Sequence, residues 1–291
     1  MPRTIHEGFV DFLPKLTPST FESEAAKKHR ASIHACLKNK YGNSVRFFRT
    51  GSFGNGTSIS GYSDVDYFAV VPTDQLQENS GTSLTHLRNA LDTRFPNTGV
   101  RVSCPAVLVP FGKTVAENTE VVPADAIGTQ GGYTTYEIPN CAGKWRRSSP
   151  DAHNAYVRDV DKTLGGKVKP LIRFIKAWRC VCNAPISSFY LELRVAAYAE
   201  QEKTIIYDID VKNVLALLNR IGLADMNDPM GISGRISACS SDVKLEDALS
   251  KLSTALTRAT KARDAESSGD TKTAFAWWDK LYAGNFPSYY R

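Results

Sequence analysis

Apolar residues in the second half of the chain recur at the spacing of amphipathic helices. Residues 168–181 place Leu171, Phe174 and Trp178 on one face, and this period predicts a helix over the whole range. Three further helices are predicted over residues 187–201, 211–221 and 243–263. An aromatic cluster within 277–286 is predicted to pack as core.

The first half shows shorter apolar runs bounded by turn-forming residues. A strand is predicted over 45–48, followed by a Gly/Ser-rich loop at 51–61 and a second strand over 64–71. The same patterns predict helices over 19–40 and 83–95 and strands over 100–109 and 115–122. Residues 124–150 are rich in Gly, Pro, Asn and Ser, and we expect a long irregular connection there.

This order of elements predicts an α+β protein made of two parts. Residues 1–150 form a mixed α/β half, and residues 151–291 form a helical half. Apolar residues make up 42% of the chain and charged residues 23%, so a sizeable core can be buried and a disordered chain is excluded. The formal net charge of +6 suits a protein that handles polyanions, and equally a protein with no such partner.

The six cysteines include no C-x-x-C pair, so a zinc site is not predicted. We expect free thiols in a reducing cytoplasm. The first residues carry Arg3, Glu7 and Asp11, unlike a secretory signal peptide. No apolar run reaches the ~18 residues of a membrane helix, so no membrane association is expected.

A Gly-Ser pair precedes two acidic residues at a defined spacing. Eleven residues separate Gly51-Ser52 from Asp64-Val65-Asp66. Residues two apart in a strand point to the same face, so Asp64 and Asp66 are predicted to project side by side. Crowded carboxylates are costly unless a cation neutralises them, and Mg²⁺ suits a few carboxylates plus phosphate oxygens. The Gly-Ser loop offers backbone N–H groups and a hydroxyl to a triphosphate.

A lone D-x-D pair more often marks a solvated strand edge. The Gly-Ser pair at this spacing, between apolar strands, favours the metal and phosphate site instead.

The stretch from Gly51-Ser52 through Asp64-Val65-Asp66 resembles the polymerase-β nucleotidyltransferase superfamily. Residues 51–57 and 119–124 are similar to the bacterial cyclic-oligonucleotide synthases, relatives of cyclic GMP-AMP synthase and oligoadenylate synthase. Further similarity lies in residues 172–178, 186–192 and 278–287. The resemblance implies a polymerase-β-like core followed by a helical lobe, with the active site in the cleft between them.

The resemblance also implies roles for individual residues. The superfamily takes a third carboxylate from a neighbouring strand, and Glu120 occupies that place, where aspartate is commoner; Asp125 is the competing candidate. Asp64, Asp66 and Glu120 would then be the catalytic residues and the ligands of two Mg²⁺ or Mn²⁺ ions.

A basic stripe is predicted on the helix over 168–181. Lys169, Arg173 and Lys176 fall at helical spacing, which is usually a solvated face. The family places a lysine at the position of Lys176 against the triphosphate, and Ser188 has the corresponding phosphate or hydroxyl contact, with a simple N-cap as its alternative role. The predicted nucleotide-binding residues are Gly51, Ser52, Lys176 and Ser188. Tyr62, Tyr133 and Tyr136 are candidates for base stacking, with ordinary packing as the alternative.

The resemblance implies a synthase that joins ATP, GTP or UTP into a cyclic dinucleotide or trinucleotide, an antiphage signal read by a separate effector. Residues 120–123 and 145–153 are most similar to the branch that often accepts pyrimidines, which favours a uridine-containing product. The chain has no zinc-binding insert and no dense Lys/Arg tract, so no obligatory nucleic-acid activator is expected. The alternatives are a template-free linear nucleotidyltransferase, either oligoadenylate synthase-like or RNA-tailing, and an inactive nucleotide-binding scaffold.

Overall fold

The computed structural model describes residues 2–112 and 118–290. The chain forms two compact units. One, the sheet unit, comprises Pro18–Ala155 and Met230–Gly234, and the other, the helical unit, comprises the residues up to Thr17, Tyr156–Pro229 and those from Arg235 onward. The sequence pattern predicts a boundary at residue 150, whereas these units divide between Ala155 and Tyr156 and the first 17 residues belong with the helices.

The described part of the sheet unit contains a seven-stranded mixed sheet. Its strands are β1 (Arg46–Arg49), β2 (Val65–Val70), β3 (Arg101–Ser103), β4 (Ala106–Pro110), β5 (Asn118–Gln130), β6 (Tyr133–Pro139) and β7 (Trp145–Ser148). They lie in the order β1-β2-β5-β4-β3, with β6 paired to β5 and β7 paired to β6. β2 and β5 run parallel, and the other neighbours run antiparallel.

Alternate residues of β2 face two different clusters. Val65, Tyr67 and Ala69 are buried in a core that includes apolar residues of helices α2 (Thr20–Tyr41) and α4 (Ser80–Arg94). Phe68 belongs to a second cluster on the other face of the sheet, together with residues of β4, β5 and β6. Since side chains alternate along a strand, Asp66, the acidic residue of β2, shares the second face.

Six helices build the helical unit together with part of α5 (Pro150–Thr163). They are α1 (Ile5–Leu16), α6 (Val168–Val181), α7 (Ser188–Ala199), α8 (Tyr207–Arg220), α9 (Asp242–Ser267) and α10 (Thr271–Leu281), and β8 (Met226–Asn227) pairs with β9 (Arg235–Ile236). Phe9 of α1 is fully buried and lies 4.9 Å from the ring of Phe174 and 5.0 Å from that of Trp278, measured between ring centroids. The aromatic cluster predicted near the end of the chain is core at Trp278, Tyr282 and Phe286, whereas Trp277 is half-buried, with the ammonium groups of two lysines over its ring. Among the described residues, no helix is long and apolar enough to cross a membrane.

The predicted α+β class is confirmed, and α6 spans the predicted 168–181. The prediction of one strand over 100–109 is wrong, because β3 and β4 form a hairpin that turns at Cys104–Pro105. In the predicted strand 115–122, residues up to 117 lie outside the described residues, and β5 begins at Asn118.

The prediction of a long irregular connection over 124–150 is also wrong. β5 continues to Gln130, and a tight turn at Gly131-Gly132 returns the chain into β6. Both glycines have positive φ, at 58° and 83°, which is the backbone geometry of a two-residue hairpin turn. Pro123 is tolerated inside β5 because β4 pairs only as far as Val121 and β6 begins pairing at Asp125.

Two of the six cysteines are not free thiols, contrary to the prediction. Cys104 and Cys141 form a disulfide, which joins the β3–β4 turn to the β6–β7 loop. Cys36, Cys180, Cys182 and Cys239 are free.

Candidate active site

The structure brings the three predicted acids to one place on the sheet. Asp64 immediately precedes β2, and Asp66 is directly opposite Glu120 in the parallel β2–β5 pair. Because Asp66 and Glu120 are register partners, their side chains leave the same face of the sheet. Asp64, two residues before Asp66, projects to that face as well.

The pKa of Glu120 is shifted by burial and by the other two carboxyls of this acidic cluster. Burial and the charge of Asp64 raise the pKa of Glu120 to about 7, and hydrogen bonds with Asp66 and Ser103 oppose that rise. A carboxyl with a raised pKa is one whose ionised form the protein disfavours. A cation bound between these groups would reverse that preference, since an opposite charge stabilises all three anions.

The Gly-Ser motif packs directly against this cluster. The Thr50 N–H donates to the backbone carbonyl of Asp66 at 2.8 Å, which holds the motif beside the start of β2. Gly51 has φ +56°, and a Cβ built on it would lie 1.9 Å from Oδ2 of Asp66. Gly51 and Ser52 open a short helix, α3 (Gly51–Asn55), where a loop was predicted. Ser52 is buried. The glycine is therefore required both for its backbone conformation and for the space that Asp66 occupies.

This geometry makes a Gly51→Ala substitution informative. We expect a stability loss of about 1–2 kcal/mol from the left-handed backbone, and in addition a displaced Asp66, which would weaken Mn²⁺ binding and lower any activity on the order of 10²-fold. Thermal denaturation and Mn²⁺ titration measure the two effects separately.

Gly61→Ala is the matched control for this prediction. Gly61 also has positive φ, at +74°, but a Cβ there would meet nothing within 4 Å. It should lose similar stability and keep its Mn²⁺ affinity. Equal Mn²⁺ affinity in both variants would show that Gly51 does not set the position of Asp66.

Lys176 and Ser188 lie in the helical unit. Lys176 is only 2% exposed, so it is not on a solvated basic face, and its Nζ lies 2.6 Å from Oε1 of the buried Glu192 in α7. Lys169 and Arg173, the other members of the predicted stripe, are half-buried. Ser188 is the first residue of α7, whereas its neighbour Ser187 is the N-cap and accepts from the backbone N–H of Tyr190 at 3.3 Å.

The three candidate stacking residues differ in exposure. Tyr136 is fully buried in the cluster with Phe68, so its role is packing. Tyr133 is half-buried, and Tyr62 is 49% exposed. Tyr62 lies two residues before Asp64 in the sequence and is the most exposed of the three tyrosines.

The acidic cluster offers carboxylate oxygens, which are the donors that Mg²⁺ and Mn²⁺ prefer. In the parts of the chain that the structure describes, no three His, Cys, Asp or Glu side chains already stand in a metal-binding arrangement. The residues fit a divalent cation by their chemistry and clustering.

Known proteins that resemble this chain share its fold over nearly its whole length. Vibrio cholerae DncV, a cyclic AMP-GMP synthase solved with the linear intermediate pppA(3',5')pG, has a TM-score of 0.76 at 13% identity, covering 99% of this chain and 97% of that one. E. coli CdnC, solved with ATP, has a TM-score of 0.74 at 16% identity, covering 97% of this chain and 99% of that one. These likenesses confirm the cyclic-synthase type of nucleotidyltransferase fold that the sequence predicted.

Two relatives match by sequence. The "Cyclic AMP-AMP-AMP synthase" of an Acinetobacter species is 24% identical over 307 aligned positions, covering 98% of this chain and 86% of the relative. The "Probable cyclic nucleotide synthase" of Bacillus cereus is 27% identical over 190 residues, covering 58% of this chain and 52% of the relative, so the match spans about half of that protein's length.

A family profile described as "Second Messenger Oligonucleotide or Dinucleotide Synthetase domain" matches residues 4–161, more than half of the chain and including the whole acidic cluster. The resemblance drawn from the Gly-Ser and D-x-D motifs is thereby confirmed, and the chain belongs to the second messenger oligonucleotide or dinucleotide synthetase family of nucleotidyltransferases.

Proposed function

We propose that the chain is a metal-dependent synthase that joins nucleoside triphosphates into a cyclic oligonucleotide. The observation that carries this proposal is the juxtaposition of Asp64, Asp66 and Glu120 on one face of the sheet, with the Gly51-Ser52 motif packed against Asp66. Carboxylates placed beside a phosphate-binding motif are what a nucleotidyl transfer needs, since its catalysis is mostly positioning and charge neutralisation.

Each residue has a role in the proposed reaction. Asp64, Asp66 and Glu120 would hold two Mg²⁺ or Mn²⁺ ions, and the backbone N–H groups and hydroxyl at Gly51 and Ser52 would bind the triphosphate. When bound, the metals supply the charge that activates the attacking ribose hydroxyl and stabilises the pyrophosphate leaving group. Of the three acids, Glu120 would act toward the attacking hydroxyl, and both aspartates would be metal ligands.

The relatives suggest which product to look for. The Acinetobacter relative, which aligns over 98% of this chain, is named for a cyclic trinucleotide of AMP, and the V. cholerae structure for a cyclic AMP-GMP product. We propose a cyclic dinucleotide or trinucleotide, and we retain a uridine-containing dinucleotide as the specific expectation from residues 120–123 and 145–153. A small change in hydrogen bonding to a base edge is enough to alter that choice.

The proposal extends to the setting of the enzyme. We propose a cytoplasmic protein with no nucleic-acid activator, whose product acts on a separate effector in antiphage signalling. The E. coli structural relative has been solved in complex with a HORMA protein, so a protein partner is the alternative kind of activating signal to test here.

Product analysis tests the proposed function. The protein is incubated with each pair of labelled ATP, GTP, UTP and CTP and with Mg²⁺ or Mn²⁺, then treated with phosphatase and analysed by mass spectrometry. We expect a phosphatase-resistant cyclic product that is absent when the Asp64→Asn/Asp66→Asn variant is used. A ladder of phosphatase-sensitive linear oligomers would instead favour the template-free linear enzyme, and no product under any condition would favour the scaffold.

We further propose that Lys176 and Ser188 contact the triphosphate. The buried pairing with Glu192 means that Lys176→Ala alone is ambiguous, because it also removes the ion-pair partner of a buried carboxylate and costs about 3–5 kcal/mol of stability. Truncation of a phosphate contact should raise KM for NTP roughly 10- to 150-fold, equivalent to about 1.5–3 kcal/mol.

A double variant separates the two effects of Lys176. Lys176→Met/Glu192→Leu removes both charges of the pair, which is often neutral or stabilising for a buried ion pair. We expect near wild-type thermal stability and a KM for NTP that stays raised, measured by steady-state kinetics. A wild-type KM in the double variant would limit Lys176 to a structural role.

A further inference from the structure

The turn between β3 and β4 lies beside the third acid of the candidate site. Ser103, the last residue of β3, pairs with Ala106, and Ala106 belongs to the cluster on the face that Glu120 shares. The Ser103 side chain is accordingly hydrogen-bonded to Glu120. Ser103 does not occur in the Gly-Ser or D-x-D motifs, and only the sheet register brings it to the site.

The strand that carries Ser103 has little support of its own. β3 is three residues long, lies at the edge of the sheet, and is exposed or half-buried throughout. Short edge strands with solvent-exposed hydrogen bonds are the first parts of a sheet to open. The position of Ser103 therefore depends on what holds the end of β3.

The residue that follows Ser103 is covalently fixed. Cys104 is bonded to Cys141, which lies 37 positions later in the β6–β7 loop. That loop is firmly anchored: the backbone N–H and hydroxyl of Ser80 donate to the carbonyls of Gly143 and Lys144 at 3.0 and 2.6 Å. The disulfide thus bonds the residue after β3 to the hydrogen-bonded β6–β7 loop, one residue away from Ser103.

We propose that Ser103 is a positioning residue for Glu120, and that the Cys104–Cys141 disulfide makes this positioning dependent on redox state. The inference rests on the metal-binding role proposed for Glu120. With the disulfide intact, Ser103 holds the Glu120 carboxyl in place; with the disulfide reduced, the end of β3 is released and the hydrogen bond is lost. Hydrogen-bond partners of metal ligands commonly change metal affinity or activity by roughly 10- to 100-fold when removed.

The redox step is an ordinary thiol–disulfide exchange. A thiolate of a dithiol reductant attacks one sulfur of the disulfide, and the Cys104–Cys141 bond breaks. The reductant supplies two electrons and two protons. The products are two protein thiols and one oxidised dithiol. Disulfides in reducing compartments are uncommon and usually redox-responsive, which agrees with this role if the protein is cytoplasmic as proposed.

Mn²⁺ affinity tests the positioning role directly. Mn²⁺ alone is titrated into the oxidised protein and the free ion is followed by electron paramagnetic resonance. We expect Ser103→Ala to bind Mn²⁺ roughly 10- to 100-fold more weakly than the wild type. Ser103→Thr should bind within a few-fold of the wild type, because it keeps the hydroxyl. Ser44→Ala, which changes an exposed serine of the same unit, should match the wild type. Equal affinity in Ser103→Ala and wild type would overturn the proposal.

The redox dependence has its own controls. Dithiothreitol should lower the Mn²⁺ affinity of the wild type to the level of Ser103→Ala. It should do the same in the control Cys239→Ser, which removes a free cysteine of the helical unit. Cys104→Ser/Cys141→Ser should already have that low affinity and should not respond, with circular dichroism verifying that it is folded. Reduction of Ser103→Ala should have no further effect, because both changes act on one contact. A further loss of similar size in reduced Ser103→Ala, or no response of wild type, would overturn the redox dependence.

These results are independent of the product assay. If the wild type makes no nucleotide product but its Mn²⁺ affinity follows this pattern, the proposed function fails and the inference stands. If product forms and neither Ser103→Ala nor reduction alters Mn²⁺ affinity, the inference fails and the proposed function stands.

Discussion

The Asp64→Asn/Asp66→Asn variant is expected to make no detectable product while remaining folded. The two carboxylates are proposed as ligands of the metals, and losing about 4 kcal/mol or more of charge stabilisation would lower the rate by about 10³-fold or more. Product formation from the best NTP pair, measured with Mg²⁺ and with Mn²⁺, checks the loss. Turnover at the wild-type rate would exclude the metal site.

The same variant carries an expectation about stability. The charge of Asp64 already disfavours ionisation of Glu120 in the metal-free protein, so removing negative charge from the cluster should raise the metal-free melting temperature, by about 2–4 °C for each kcal/mol of repulsion relieved. We expect Mn²⁺ to raise the melting temperature of the wild type further, and this second rise should be absent in the variant. Asp74→Asn, at an exposed aspartate of the same unit, is the matched control and should change neither quantity.

The part of the site that the sequence predicts is the part encoded by local periodicity. The two-residue spacing of Asp64 and Asp66 fixes a common face once β2 is recognised as a strand, whatever the rest of the fold. The helix over 168–181 is equally local, because its apolar residues alone define the period and the length.

The strands within residues 124–150, which were predicted to be an irregular connection, have a turn signal in the local sequence. Gly131-Gly132 sits between two stretches with strand character, Gln130 and Tyr133 pair across it, and a Gly-Gly pair is a recognised two-residue hairpin turn. The frequency of Gly, Pro and Asn over 124–150 suggested a loop instead. α1 was missed although Thr4 and Glu7 form a capping box, a signature that can be read directly from the sequence.

Other features depend on tertiary structure and have no local signal. The Cys104–Cys141 bond joins residues 37 apart that only the β3–β4 turn and the β6–β7 loop bring together. Helical spacing placed Lys176 on a basic stripe, but α7 supplies Glu192 as a buried partner 16 residues away, and packing between two helices decided the outcome. Ser103 reaches Glu120 through strand order, which runs β5-β4-β3.

The identity of the third acid gives the other prediction with a large expected effect. Asp125 was placed beyond the end of the strand, but β5 continues to Gln130 and includes it. Asp125 lies five positions after Glu120, and an odd difference in position within a strand places the two side chains on opposite faces. Asp125 accepts a hydrogen bond from Thr73 Oγ1 at 2.7 Å, whereas Glu120 is beside Asp64 and Asp66. The register therefore favours Glu120 as the ligand.

We expect Glu120→Gln to lower turnover at least ~10²-fold, because it removes the charge of the proposed ligand near the attacking hydroxyl. We also expect the variant to be more stable than the wild type without metal. The reason is that ionising the buried glutamate, whose pKa is raised to about 7, costs free energy in the folded state. Glu120→Asp keeps the charge on a side chain one methylene shorter and should retain part of the activity. Asp125→Asn should leave turnover within a few-fold and cost only about 0.5–1.5 kcal/mol through the Thr73 hydrogen bond. Steady-state rates and thermal denaturation of the three variants measure these effects. If Asp125→Asn is the inactive variant and Glu120→Gln the active one, the third ligand comes from the other face of β5, and the acidic cluster described here is not the catalytic one.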